Sequence, residues 1–306
     1  MLTRRSMAAA SLLCAAPRGL MAKVGHERLP LWPGRPPGGG GPLGGIVEDA
    51  EGAVTNVSTP CLEIYAPERS NGSAVLVAAG GGYKRIEMGK EARPAAQWLA
   101  GQGVTAFVLT YRLPTEGWSV GPLAPLQDAQ RALRIVRSGA SRRGLDPDQI
   151  GVMGFSSGGH LFGLAATRSA FHAYPPLDAI DQQSARPRFA ALIYPVVTLE
   201  PPYDHTSTRR SLVGAHPTPE ASAEWSVETH VRSGCPPMFL AQALDDPISN
   251  PQNSVILCDA CKAAGVPVEL HQFTTGGHGF ALGRPGAPTA AWPELYRRWR
   301  RADGSA

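Results

Sequence analysis

Apolar residues in this chain fall into short runs separated by longer segments with helical spacing. The runs are 61–66, 74–78 (AVLVA), 104–111 (VTAFVLTY), 150–155, 189–196 (FAALIYPV), 237–244 (PMFLAQAL) and 268–273 (VELHQF). Their apolar character is continuous rather than alternating, which predicts strands covered on both faces. Helical patterns lie near residues 91–101, 123–143, 157–168, 251–264 and 290–302. Strand–helix alternation with right-handed crossovers predicts an α/β fold, a mostly parallel, doubly wound sheet with helices on both faces. Residues 198–232 break the rhythm, with few strong apolar runs and several Pro, Ser and Thr. They are expected to form a small cap-like insertion over the carboxyl edge of the sheet.

The first residues follow a different pattern. Residues 1–22 read MLTRRSMAAASLLCAAPRGLMA, with two arginines ahead of a small-residue and leucine run. This is the layout of an export signal, and Thr3-Arg4-Arg5 resembles its twin-arginine form. A periplasmic or secreted location is therefore expected, with residues 23–306 forming one catalytic domain. Residues 30–45, PLWPGRPPGGGGPLGG, have the composition of a linker.

Composition narrows the class. The chain has 306 residues, 43% hydrophobic and 18% charged, which excludes wholesale disorder. Its 35 glycines and 29 prolines show no three-residue period, so it is not collagen-like. No stretch approaches the roughly 18 apolar residues of a membrane span. The formal charge is +4, but residues 1–22 carry three arginines and no acid, so the remainder is almost neutral. Neither nucleic acid nor a membrane surface is expected as a partner. Cys14 lies in the signal. Cys61, Cys235, Cys258 and Cys261 are expected to be ordinary buried or half-buried thiols, since a bridge between Cys258 and Cys261 within one helix would be strained.

The strongest chemical signal is Gly154-Phe155-Ser156-Ser157-Gly158-Gly159, between the strand pattern at 150–155 and a helical run. It fits G-x-S-x-G, a tight strand-to-helix turn that exposes a nucleophilic serine. The helix start that follows brings backbone N–H groups and its positive dipole end to a developing oxyanion. Ser156 needs a base. His271 lies inside the strand pattern VELHQF, whereas His278 lies in the turn Thr275–Phe280 just beyond it, so His278 is the expected base. The acid should follow the preceding strand, where Asp245 and Asp246 both stand. Asp246 is preferred because a residue before proline is held extended, and Asp245 is then a turn or capping residue. The Gly80-Gly81-Gly82-Tyr83 loop should supply a second oxyanion donor, so the expected donors are the amides of Gly81, Gly82 and Ser157.

These segments together resemble the α/β-hydrolase esterases related to acetylxylan esterases and bacterial hemicellulose deacetylases. Members of that family are often labelled xylanases by association, and some act as feruloyl esterases. The resemblance runs over nearly all of residues 29–285. It rests on LPLWPG, GGGY, FVLTYRLP, PLQDAQRALRIVRS, GLDPDQIGVMGFSSGGHL, Asn253-Ser254 and GVPVELHQFTTGGHGFAL. It implies an α/β-hydrolase fold, a Ser156–Asp246–His278 triad and hydrolysis of short acyl esters, chiefly acetate on xylan or related plant polysaccharide. A general short-chain carboxylesterase or a feruloyl esterase is the near alternative. The resemblance also implies that the LPLWPG segment is folded. Two departures border the site: Ala79 where the family has proline, and Ile248-Ser249-Asn250-Pro251 where it tends to have a Val-Pro pair.

Other residues are weighed against plain structural roles. Arg112 and Asp128 read as a structural ion pair, and His160 as a packed helix residue. Tyr83 and Trp225 are candidates for a sugar-stacking or acyl-pocket wall, with ordinary packing the favoured reading for either one taken singly. No metal or cofactor is expected. A glycoside hydrolase would need two carboxylates astride the scissile bond, and the adjacent Asp245 and Asp246 cannot straddle a sugar. A non-catalytic binding protein of this fold would be expected to have lost a triad member, and this chain keeps all three.

Overall fold

The computed structural model describes residues 27–302. The export-signal reading of residues 1–22 lies outside them. In chain order the strands are β1 (Arg28–Pro30), β2 (Val47–Glu48), β3 (Ala53–Thr55), β4 (Cys61–Tyr65), β5 (Ala74–Ala78), β6 (Ile86–Glu87), β7 (Thr105–Thr110), β8 (Ile150–Phe155), β9 (Ala190–Ile193), β10 (Met238–Ala243) and β11 (Val268–Phe273). The helices are α1 (Arg93–Ala100), α2 (Leu123–Gly139), α3 (Ser157–Thr167), α4 (Ser207–Val213), α5 (Pro219–Glu224), α6 (Gln252–Ala263) and α7 (Trp292–Ala302).

Eight strands form the main sheet in the order β1-β4-β7-β5-β8-β9-β10-β11. From β7 to β11 neighbours run parallel, while β4 and β1 add an antiparallel edge. β5, β8 and β9 are buried along their whole length, as their unbroken apolar runs predict. β11 is the far edge and is mostly half-buried, with Glu269 and Gln272 exposed. Helices cover both faces, and β8 shows this directly. A Cβ on Gly154 would collide with the Gly158 carbonyl of α3, whereas the next ring, Phe155, packs on Trp292 of α7. Successive strand residues point to opposite faces. Trp98 brings α1 to the α7 side through Trp292 and Tyr296.

Register aligns the carboxyl ends of the central strands. Ala78 pairs with Gly154, Phe155 with Ile193, Ile193 with Ala241, and Ala243 with Phe273. The loops leaving β5, β8, β9, β10 and β11 therefore meet at one edge, where open parallel sheets bind their ligands. Residues 198–232 hold α4 and α5, which the apolar pattern did not predict.

The linker reading of residues 30–45 is corrected at its start. Leu31 and Trp32 are buried. The Trp32 indole N–H donates to Asp128 Oδ1 at 2.8 Å, and Arg131 Nε donates to the Leu31 carbonyl at 2.9 Å. Arg112 joins the same cluster. Its backbone N–H and Nε donate to Asp128 at 2.8 and 3.0 Å, Nη1 donates to the Pro37 carbonyl, and the guanidinium lies 4.9 Å over Trp118. The glycine-rich segment is thus stapled to α2 by a buried ion pair and two tryptophans. Cys61, Cys258 and Cys261 are buried free thiols, and Cys235 is a half-buried one.

Asp128→Asn keeps the shape of that cluster but leaves the Arg112 charge uncompensated. Urea unfolding should show a loss of about 3–5 kcal/mol. A loss below about 1 kcal/mol would mean that the pair does not hold the segment.

Candidate active site

β8 ends at Phe155 and α3 begins at Ser157, so Ser156 alone makes the turn. Its φ of 51° and ψ of −117° lie in a region that costs a non-glycine residue about 1–3 kcal/mol. Backbone bonds hold it there. The Ser156 N–H donates to the Ile193 carbonyl at 3.0 Å, and the Ser156 carbonyl accepts from His160 at 3.0 Å and Val196 at 3.3 Å. Glycine is needed at 158, where a Cβ would lie 2.3 Å from the Ala78 carbonyl oxygen. The close contact brings the first turn of α3 against the end of β5.

His278 leaves the loop after β11 and reaches Ser156, with Nε2 2.9 Å from the serine Oγ. Its other nitrogen, Nδ1, lies 2.8 Å from Asp246 Oδ2. Asp246 is buried and held by three further donors. Oδ1 accepts from the amides of Ile248 (2.8 Å) and Ser249 (2.9 Å), and Oδ2 from Gln242 Nε2 (3.1 Å). The carboxylate fixes Nδ1 as the donor, which leaves Nε2 as the acceptor for the serine proton. Asp245 faces away and accepts the Gly277 N–H at 2.7 Å. That backbone bond lowers its pKa and ties down the residue before His278. His271 is elsewhere, on the edge strand, 2.6 Å from Glu269.

The three expected oxyanion amides are placed differently. The Ser157 N–H opens α3, where helical N–H groups lack an intrahelical partner. Gly81 takes a φ of 119°, and a Cβ there would lie 2.2 Å from the Arg85 carbonyl. The Gly82 N–H is a correction. Instead of facing the cleft it donates to Ser157 Oγ at 2.9 Å, because a serine follows the nucleophile and offers an acceptor within reach.

Tyr83 and Trp225 are corrections too. Tyr83 is buried at 1% exposure, and its hydroxyl lies 3.0 Å from His160 Nδ1. The Trp225 carbonyl lies 2.7 Å from His160 Nε2, and its ring sits 5.6 Å from the Arg168 guanidinium. Neither lines the cleft, so both serve packing. His160 is the packed helix residue expected of it.

The cleft over Ser156 has a volume of about 360 Å³ and is lined by Gly81, Gly82, Lys84, Arg85, Val196, Ser207, Ile248 and His278, among others. A larger groove of about 680 Å³ lies between β1 and α2, but no histidine lines it. The insertion contributes directly to the cleft. A Cβ on Gly82 would meet Ser207 Oγ at 2.0 Å, and Ser211 Oγ donates to the Gly82 carbonyl at 2.9 Å. Residue-by-residue reading missed Glu91 and Tyr194. Glu91 is buried and lines the cleft floor. Its Oε2 accepts the Gly80 N–H at 2.5 Å and its Oε1 accepts the Tyr194 hydroxyl at 2.9 Å. Burial holds its pKa above the usual carboxylate range, and those two bonds offset only part of that rise. Among the described residues no group of three His, Cys, Asp or Glu could hold a metal ion, and no helix is long and apolar enough to cross a membrane.

A parallel sheet with an antiparallel edge, a left-handed serine at the central strand end and a histidine on the last strand's loop define an α/β-hydrolase. Residues 62–260 match the BD-FAE family model, and the chain belongs to that family. An acetylxylan esterase of Xylanibacter ruminicola is 31% identical over 225 residues, covering 72% of this chain and 43% of that protein. Endo-1,4-beta-xylanase B of Butyrivibrio fibrisolvens is 34% identical over 229 residues, covering 74% and 34%. The chain therefore spans less than half the length of these two relatives. The solved acetyl ester-xyloside bifunctional hydrolase of Caldicellulosiruptor lactoaceticus is 32% identical and superposes with a TM-score of 0.77, covering 91% of this chain and 97% of that one.

His160 generates a pH prediction. Burial lowers its pKa to about 4, below the usual 6.5. The unfolded chain takes up this proton as pH falls through about 6.5 and the folded chain only near 4, so stability is lost across that window as pH falls. The loss from this residue should reach about 3 kcal/mol. Urea midpoints from pH 7 to pH 4 should fall less steeply for His160→Gln. Equal slopes would show that His160 is not the group responsible.

Proposed function

We propose that the protein is a serine esterase that removes short acyl groups, chiefly acetate, from xylan or a related plant polysaccharide. The observation that carries this reading is the hydrogen-bonded line from Ser156 Oγ through His278 to Asp246, at a strained elbow. Ser156 Oγ attacks the ester carbonyl while His278 Nε2 takes its proton. Asp246 keeps the imidazole in the right tautomer and stabilises the imidazolium. The amides of Gly81 and Ser157 receive the oxyanion. His278 then gives its proton to the departing sugar oxygen, which leaves as a hydroxyl group, and an acyl-serine remains. Water, deprotonated by His278, releases the acid.

Membership of the family and its similarity to an acetylxylan esterase and an acetyl ester-xyloside hydrolase support an ester substrate. The acetate assignment draws on the site as well. Val196 and Ile248 provide an apolar wall, and α4 presses on Gly82 from the insertion, which favours a small acyl group. The near alternative is a general short-chain carboxylesterase or a feruloyl esterase. No cofactor enters this mechanism. We further propose that residues 1–22 direct export, which would place the enzyme where polymeric substrate is found.

Acetate release from acetylated xylan, measured beside hydrolysis of a short aryl acetate, tests the assignment. Wild type should turn over both. Ser156→Ala should be inactive on both, and Asp246→Asn should lose about 10⁴-fold in kcat. Cleavage of the aryl ester alone would overturn the polysaccharide assignment. Full activity of Ser156→Ala would overturn the nucleophile.

A further inference from the structure

We propose that Glu91 and Tyr194 form a buried strut that sets the oxyanion loop and the His278 loop against each other, which makes Glu91 a positioning residue. The proposal rests on the ester hydrolysis read above and adds to it a residue outside the triad.

The geometry points there in steps. Glu91 lies in a single π-helical turn, Met88–Ala92, that follows the oxyanion loop. Such turns occur often at functional sites. Each of its carboxylate oxygens takes a donor from a different segment. One donor is the Gly80 N–H of the oxyanion loop, and the other is the Tyr194 hydroxyl at the end of β9. Tyr194 continues the line. Its hydroxyl accepts the Ala281 N–H at 3.0 Å, three residues past His278. Its ring stands edge-on to His278 at 5.0 Å and to Phe280 at 4.4 Å between centroids. Tyr194 and Ala281 both take positive φ, 39° and 47°. Two strained non-glycine residues persist only where the surroundings over-determine them.

Packing alone does not explain an acid here. Neither the amide nor the phenol that holds the Glu91 carboxylate is a cation, and burying such a group is costly. A leucine would fill the space more cheaply. What a carboxylate adds is two acceptors aimed at two loops. The oxyanion donors and the base then move as one body, the preorganisation that ester cleavage requires.

The test is steady-state kinetics on a short aryl acetate with Glu91→Gln, Tyr194→Phe and the double variant. Active sites are counted by stoichiometric reaction with an aryl phosphonate. Each single variant should lose about 10- to 100-fold in kcat per titrated site, less than loss of a direct oxyanion donor, with KM within about twofold. The double variant should be no worse than about the poorer single, because both changes break one strut. The proposal is overturned if both singles keep kcat within about twofold, if per-site turnover is normal and only the number of sites falls, or if the losses multiply in the double. Should Glu91→Gln fail to fold, Tyr194→Phe decides alone, since it keeps the ring and removes only the hydroxyl. An active Ser156→Ala would instead strike the esterase reading, so the two failures are told apart.

Discussion

A serine at a φ of 51° would relax if it were free, and the chain around Ser156 is arranged so that it cannot. Its own amide is bound to β9 through Ile193, and its carbonyl carries the first bond of α3 as well as one from Val196. Glycine at 158 lets α3 start directly against the end of β5. Loosening any of these contacts would let the backbone fall back toward an ordinary region and turn Oγ out of line with His278. The stability of the sheet is therefore spent, in part, on keeping one side chain in an unfavourable place.

That constraint explains why the other functional groups come from so many segments. Parallel strands in matched register end together, so the loops after β5, β8, β9, β10 and β11 reach one point without long excursions. Each brings one part: glycine amides, Ser156, Tyr194, Asp246 and His278. Asp246 and His278 come from neighbouring strands and are braced separately. Asp246 is held by the amides that follow it, and the His278 loop by Asp245 through Gly277. The two adjacent aspartates thus divide the work, one on the imidazole and one on the backbone that carries it.

Much of this was legible in the sequence because it is local. Seven apolar runs became the seven longest strands of the main sheet, and the elbow was readable because its glycines and serine are contiguous. The choice of Asp246 followed from its place before Pro247. What stayed hidden depends on contacts across the chain. Glu91 reads as one more charge in Lys90-Glu91-Ala92-Arg93, and nothing local says that a π turn aims it inward. Tyr194 is one aromatic within an apolar strand run. Tyr83 and Trp225 looked like binding aromatics because sequence does not say which side of a loop a ring takes. Residues 30–45 have linker composition, yet Trp32 is fixed by Asp128, 96 positions away. Short strands such as β2, β3 and β6 fall below the length at which periodicity means anything.

The insertion carries the last step from fold to selectivity. α4 sits on the Gly82 side of the nucleophile, with Ser207 against the loop and Ser211 bonded to the Gly82 carbonyl. Under the proposed reading, an acyl chain long enough to reach α4 would press on a helix hydrogen-bonded to the Gly82 carbonyl, so room for the acyl group and placement of the glycine loop would be mechanically linked. The mouth of the cleft is different in kind, since Lys84 and Arg85 are exposed there. Under the proposed reading, the acyl end is limited by a rigid contact and the alcohol end is wet and polar. That asymmetry suits a large, hydroxyl-rich leaving group bearing a small ester better than a long-chain lipid ester.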